Sequence, residues 1–257
     1  MKIVVLVKEV PDSYGERKLN LTTGLAEREA SEKVLDEITG RAVEVAVSYA
    51  ESAQEAEVAL LAVGPASAEA TLRKTLAMGG DSAHHVVDEG LAGADLTLTA
   101  EVIAAALERI GFDLVIAGDV SSDGTGGLIP TMVAQRLGTA HATSLDAVEI
   151  TDSAVAGERA AYGGTVRVQA PLPAVVSVTE RLPDPRFPGF KGIMSAKKKP
   201  LETYTLADLG VEAEADVPRS IMLSVSETPA RMSGEKITDD GDAGTRLAEY
   251  LIQRRLV

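Results

Sequence analysis

Short aliphatic, β-branched runs alternate with stretches of helical period through roughly the first 150 residues, and no other feature limits the fold so strongly. Residues 3–7 (IVVLV), 58–63 (VALLAV) and 113–117 (DLVIA) are almost continuously apolar, and residues 85–87 form a shorter run of the same kind. Runs of this length suit strands covered on both faces, the situation inside a parallel sheet. Between them, residues 31–50 carry Val34, Leu35, Ile38, Ala42, Val45 and Ala46 at a three-and-four spacing that predicts an amphipathic helix. A second helix is predicted over 68–78, with Ser67 as its N-cap and Gly79-Gly80 as its stop. A third opens at Asp95 or Thr97 and runs to Ile110, and a fourth follows a glycine-rich stretch and reaches about Leu137. Strands and helices in strict alternation imply βαβ units, hence a doubly wound α/β fold on a largely parallel sheet.

The second half changes character. Residues 147–150, 165–169 and 174–178 read as strands with no helices between them, a β extension folded back onto the sheet. From about Asp208 the chain turns acidic, and a final helix over 244–255 carries Leu247, Tyr250 and Leu251 on one side. The expected division is a domain over 1–205 and a C-terminal arm over 206–257 that packs on something other than its own domain.

Charge and composition exclude several function classes. The chain holds 39 Asp and Glu against 25 Lys and Arg, a net −14, which repels phosphate backbones and anionic lipid and argues against general nucleic-acid binding. With no cysteine there is no disulfide, thiol nucleophile or thiolate metal site, and a reducing cytoplasm is the expected compartment. The opening apolar run is too short for a signal-peptide core, and no stretch approaches eighteen apolar residues. Of the three histidines, His84 and His85 fall on opposite faces of a short strand, poor geometry for a shared metal. No G-x-S-x-G elbow occurs. The carboxylates of Asp36, Glu37 and residues 212–216 read as solvated surface, so the chain looks like a binding protein rather than an enzyme.

Two segments carry chemistry. Residues 118–127 (GDVSSDGTGG) lie after a strand and before a helix, where open α/β sheets bind ligands. Glycines let backbone amides approach an anion, the helix start adds partial positive charge, and Ser121, Ser122 and Thr125 add hydroxyls. Asp119 and Asp123 would repel a bare phosphate and suit ribose hydroxyls or a turn. The residues alone leave a ligand loop and a plain βα connection equally open; if it is a ligand loop, Gly126 is the position where a side chain would block the anion and strain the backbone. The second segment, 181–199, brings Arg181, Arg186, Lys191, Lys197, Lys198 and Lys199 against Asp184 alone, with Phe187 and Phe190 among prolines and glycines. Prolines stop regular structure, and an aromatic on a stiff exposed loop is a low-entropy anchor for a partner's pocket. Phe187 also fits packing onto the domain body; Phe190 reads as exposed. Nucleic acid is the weaker alternative for this loop.

Several segments in order resemble the beta subunit of electron-transfer flavoprotein over nearly the whole chain: IVVLVKEV at 3–10, TLRKTLAMGGD at 71–81, DLVIAG at 113–118, LPAVVSVT at 172–179 and GIMSAKKKP at 192–200. The resemblance implies an adenine-nucleotide-binding α/β domain in a heterodimer with an alpha subunit that holds most of one FAD. It implies a buried AMP, electrons taken from acyl-CoA dehydrogenases or related flavin dehydrogenases, and delivery to a membrane quinone oxidoreductase. Carried over by position, the nucleotide site comprises Leu6, Asp36, Glu37, Ile38, Thr39, Val63 and the loop residues Gly118, Asp119, Ser121, Ser122, Asp123, Gly124, Thr125, Gly126 and Gly127, with Tyr14 near the flavin. Where many relatives continue the loop with Gln-Thr-Gly, this chain has Leu128-Ile129-Pro130. The partner-recognition segment corresponds to 181–199, with Phe190 as its bulky anchor beside Phe187, Lys191, Ile193 and Met194, and the acidic C-terminal segment to an arm on the alpha subunit. Two rival functions remain at this point: a bifurcating relative with a second FAD in place of AMP and NADH oxidation, and a free-standing nucleotide-binding module.

Overall fold

Ile3, Val4 and Val5 are completely buried and Val7 nearly so, which places the first strand, β1 (Lys2–Val7), deep inside a sheet. The computed structural model describes residues 1–257 apart from 54, 214–219, 221, 232, 235 and 237. Two compact units are present, Met1–Leu223 and Ser224–Val257.

In the first unit β1 is followed by an antiparallel pair, β2 (Glu9–Pro11) with β3 (Lys33–Leu35), then α1 (Glu37–Ser52), β4 (Glu57–Val63), α2 (Glu69–Leu76), β5 (Ser82–Val86), α3 (Leu96–Ile110), β6 (Leu114–Gly118) and α4 (Ile129–Leu137). Next come β7 (Ala140–Leu145), β8 (Ala147–Ile150), β9 (Ala154–Ala161), β10 (Gly164–Pro171), β11 (Ala174–Val178), α5 (Phe190–Ala196), β12 (Leu201–Tyr204) and α6 (Leu206–Leu209). Seven strands form one parallel sheet in the order β12-β5-β4-β1-β6-β11-β7. Side chains alternate across it: Ile3, Val5 and Val7 join the cluster holding Ala42, Val43 and Ala46 of α1 and Leu72 and Leu76 of α2, whereas Val4 joins the cluster holding Val102 and Leu107 of α3 and Val133 of α4. Helices thus cover both faces, the doubly wound arrangement expected. Strands β8, β9 and β10 form a separate three-stranded antiparallel sheet, which is the β extension.

Several expectations need correction. The helix expected from 31 begins at Glu37; Val34 and Leu35 are extended because their backbone pairs with β2, and the Asp36 N–H donates to the Lys8 carbonyl at 3.0 Å. A few apolar residues cannot tell a strand from a helix turn by period alone. Ser67 is no N-cap: it lies inside a 3₁₀ turn (Ala66–Ala68), and the helix starts after it at Glu69. Asp95, by contrast, caps α3 by accepting from the Thr97 and Leu98 amides at 2.9 Å. Residues 174–178 do not belong to the extension; as β11 they insert between β6 and β7 with all five residues buried. Leu206 of α6 and Val211 are buried in the core of the first unit, which runs on to Leu223. In the second unit, α7 (Ala243–Gln253) leaves Leu247, Tyr250 and Ile252 exposed. The acidic stretch 212–216 lies mostly outside the described residues; Glu212 is exposed.

Candidate functional site

The chain steps from β1 to β4 and β5 on one side, and α3 then carries it back across β1 to β6 on the other. Strand order therefore reverses between β1 and β6, and the crevice outside their carboxyl ends is the place where such sheets bind ligands. Three pieces of chain meet there: Lys8 after β1, the first turn of α1, and residues 118–127 after β6. The meeting is close. A Cβ added at Gly118 would stand 2.8 Å from Ile38 Cγ2 and 3.2 Å from the Ile38 carbonyl carbon, so glycine is what lets the end of β6 close on α1.

The acidic residues of the loop are engaged internally. Asp119 Oδ1 accepts from Ser144 Oγ at 3.0 Å and Ser177 Oγ at 2.8 Å, tying the carboxyl ends of β6, β7 and β11 together. Asp123, whose side chain is 6% exposed, lies between Lys8 Nζ at 2.7 Å and Arg28 Nη2 at 2.8 Å. Lys8 also donates to Ser121 Oγ at 3.0 Å, and Arg17 donates to the Ser122 carbonyl. Burial opposes the Asp123 charge, but Lys8, Ser121 and Arg28 outweigh it and hold the carboxyl well below the usual carboxylate range. The loop turns at Thr125 (φ +50°) and Gly127 (φ +62°). A side chain is therefore strained at these two positions and not at Gly126, which lies outside the left-handed region and where an added Cβ would make only ordinary contacts with Leu96.

Asp36 also departs from expectation. It is 3% exposed rather than solvated, because the loop after β6 folds over it. Burial pushes its pKa up, while the Ser122 backbone and hydroxyl and the Lys8 charge pull the other way. Glu37 does face solvent and accepts from Arg41 at 3.2 Å. Thr39 is buried in the first turn of α1, and Leu6 and Val63 are half-buried at the ends of β1 and β4. Tyr14 is 100% exposed on a turn in which Asp12 accepts from its amide, and it is not brought to the loop. Lys8, Arg17 and Arg28 are functional candidates that sequence reasoning missed. Lys8 carried a legible signal, since it directly follows the central strand; the two arginines carried none.

The segment 181–199 forms a second candidate surface. Phe187 is 96% and Phe190 82% exposed, so neither packs onto the domain body, and Lys191, Ile193 and Met194 are exposed beside them. Regular structure does form here: α5 starts at Phe190, after the last proline before it, and buries Ala196. Not every cation is free. Arg186 grips Glu44 of α1 through Nε (2.8 Å) and Nη2 (2.9 Å) and reaches Glu51, while Lys199 donates to the Leu76 and Gly80 carbonyls. Arg41 of α1 donates to the Leu182 carbonyl and to Asp184 at 2.6 Å. The root of the segment is thus clamped to α1, and its aromatic tip projects.

These geometries agree with similarity to known proteins. Residues 23–209 match the family model described as the electron transfer flavoprotein domain. The chain is 42% identical over 99% of its length, and 99% of the relative's, to the electron transfer flavoprotein subunit beta of Mycobacterium leprae, with the same values for that of Mycobacterium tuberculosis. The chain belongs to the electron transfer flavoprotein family. It is also 32% identical, over 93% of its length and 92% of the relative's, to the caffeyl-CoA reductase-Etf complex subunit CarD of Acetobacterium woodii. Membership in the electron transfer flavoprotein beta-subunit line makes it an electron-carrier subunit rather than an enzyme.

Elsewhere the first unit offers an electron transfer flavoprotein little chemistry. Two cavities, about 800 Å³ and 500 Å³, share Met1, Ala53 and Glu55 and sit at the amino ends of the strands, opposite the crevice. His84 Nδ1 lies 3.1 Å from Tyr204 Oη, His85 is buried on the other face, and burial lowers the pKa of both. No group of side chains suited to a metal ion occurs among the described residues, and none of their helices is long and apolar enough to cross a membrane.

Proposed function

We propose that the chain pairs with an alpha subunit as the beta half of an electron transfer flavoprotein and holds AMP in the crevice between β1 and β6. The observation that carries the reading is the convergence of residues 118–127 with the first turn of α1 at the point where the strand order reverses. The residues fit a phosphorylated nucleotide. Asp119 and Asp123, the groups that would repel phosphate, are occupied by hydroxyls and cations, and Lys8 and Arg28 stand at the same place. Amides and hydroxyls of 121–127 hold the phosphate, and Leu6, Asp36, Ile38, Thr39 and Val63 line the rest. With its phosphate held by backbone amides and hydroxyls, AMP serves as a structural ligand.

FAD, shared with the alpha subunit, supplies the electron-accepting chemistry; this chain contributes surface that excludes water. Tyr14, fully exposed here, is available to cover it. Phe190, with Phe187, Ile193 and Met194, docks on acyl-CoA dehydrogenases or related flavin dehydrogenases, and Lys191 steers the approach. Electrons then pass to a membrane quinone oxidoreductase. Acid extraction of the purified heterodimer and counting of its nucleotides tests this. One FAD and one AMP per heterodimer is expected. Two FAD would make the protein a bifurcating relative, and nucleotide without flavin a free-standing nucleotide-binding module.

A further inference from the structure

Three cations reach the loop after β6 from parts of the chain roughly 100 residues away: Lys8 from the end of β1, and Arg17 and Arg28 from the strap 12–32. Each keeps donors in reserve. Among the described residues the Lys8 ammonium uses two of its three N–H groups, on Ser121 and Asp123. Among the described residues Arg17 gives one hydrogen bond, to the Ser122 carbonyl, and Arg28 one, to Asp123, out of five N–H donors apiece. Among the described residues the loop's surroundings also hold the carboxylates of Asp123, which bridges Lys8 and Arg28, of Asp36, buried against Ser122, and of Asp119, which accepts from the Ser144 and Ser177 hydroxyls. Three cations drawn to one loop stand out in a chain of net charge −14.

We propose that Lys8, Arg17 and Arg28 are the phosphate-charge recognition group of the nucleotide site, and that Asp123 positions Lys8 and Arg28. This rests on the nucleotide reading above and adds what the site recognises: the dianionic phosphate, or the pyrophosphate, of an adenine nucleotide. Asp123 holds two of the cations at one spot while no phosphate is bound. A phosphate arriving at the amides of 121–123 takes their spare N–H groups. Because Arg17 and Arg28 both belong to the strap, the same contacts draw residues 12–32 onto the ligand.

The test is calorimetric titration of the nucleotide-stripped heterodimer with AMP, adenosine and FAD at low and physiological salt. Whether AMP or FAD binds identifies the source of the phosphate. Arg28→Gln should weaken the phosphorylated ligand about 10- to 100-fold while leaving adenosine unchanged, since a charge-assisted hydrogen bond is lost and nothing apolar is. It should also flatten the salt dependence, and Arg28→Lys should restore part of the affinity. Lys8→Gln gives an independent reading if Arg28→Gln fails to assemble. Wild-type AMP affinity in both variants would overturn the proposal, as would equal losses of AMP and adenosine. If wild-type protein binds neither AMP nor FAD, the nucleotide reading itself fails.

Discussion

Replacing Glu44 by Gln tests how the docking segment is held. Glu44 accepts from the Arg186 amide at 3.0 Å, from Nε at 2.8 Å and from Nη2 at 2.9 Å, with its side chain 15% exposed. The Arg186 hydrogen bonds lower its pKa from the ordinary 4.5 to about 2. A shift of that size, fully realised, corresponds to about 3 kcal/mol. Solvent around Arg186 reduces this to about 1–2 kcal/mol, or about 2–8 °C in Tm for a chain of this size. The folded pKa is depressed, so the stabilisation is complete above about 4.5 and is lost as pH falls through 4.5 toward 2. Thermal denaturation of wild type and Glu44→Gln, run in parallel at pH 7 and pH 3, should show a Tm gap at neutral pH that shrinks to less than about half in acid. The gap isolates Glu44, because every other carboxylate is common to both proteins. An equal gap at both pH values, or none at pH 7, would refute the clamp as an electrostatic device.

Phe190→Ala should raise KM for the flavin dehydrogenase with FAD and AMP content unchanged; truncating an anchor of this kind costs about 2 kcal/mol, roughly thirtyfold in affinity, and stopped-flow reduction kinetics read it. Gly118→Ala should destabilise by about 1–3 kcal/mol, because its new methyl meets Ile38, and should release nucleotide on gel filtration, measured by absorbance at the adenine band. The chain expressed alone should carry no stoichiometric FAD, and a stable yellow monomer would contradict this.

What the sequence made legible was the part set by local chemistry. The β-branched runs of β1, β4 and β6 admit few readings other than buried strands, and the glycines of 118–127 mark a turn after a strand. Of the strands that escaped, β7, β9 and β12 are rich in Ala, Glu and Thr, and their pairing comes from neighbours distant in sequence. Asp36 looked like surface because nothing beside it in the chain shows that Ser122 will cover it. Likewise, counting charges over 181–199 could not show that Arg186 and Lys199 are consumed by α1 and by the end of α2. Long-range pairing is the information a one-dimensional pattern lacks.

The insertion of β11 sets an order of assembly. Strands β6 and β7 share no ladder of their own; each pairs with β11, which is synthesised after both. A nascent chain that has reached Pro171 therefore has an open slot where the sheet will later be continuous. Ser177, on the strand that fills that slot, brings the hydroxyl that meets Asp119 and accepts from the Ser144 amide at 2.8 Å. The crevice between β1 and β6 thus reaches its final shape only once residues 174–178 have left the ribosome, and a chain halted short of them leaves Asp119 without one of its two hydroxyl partners.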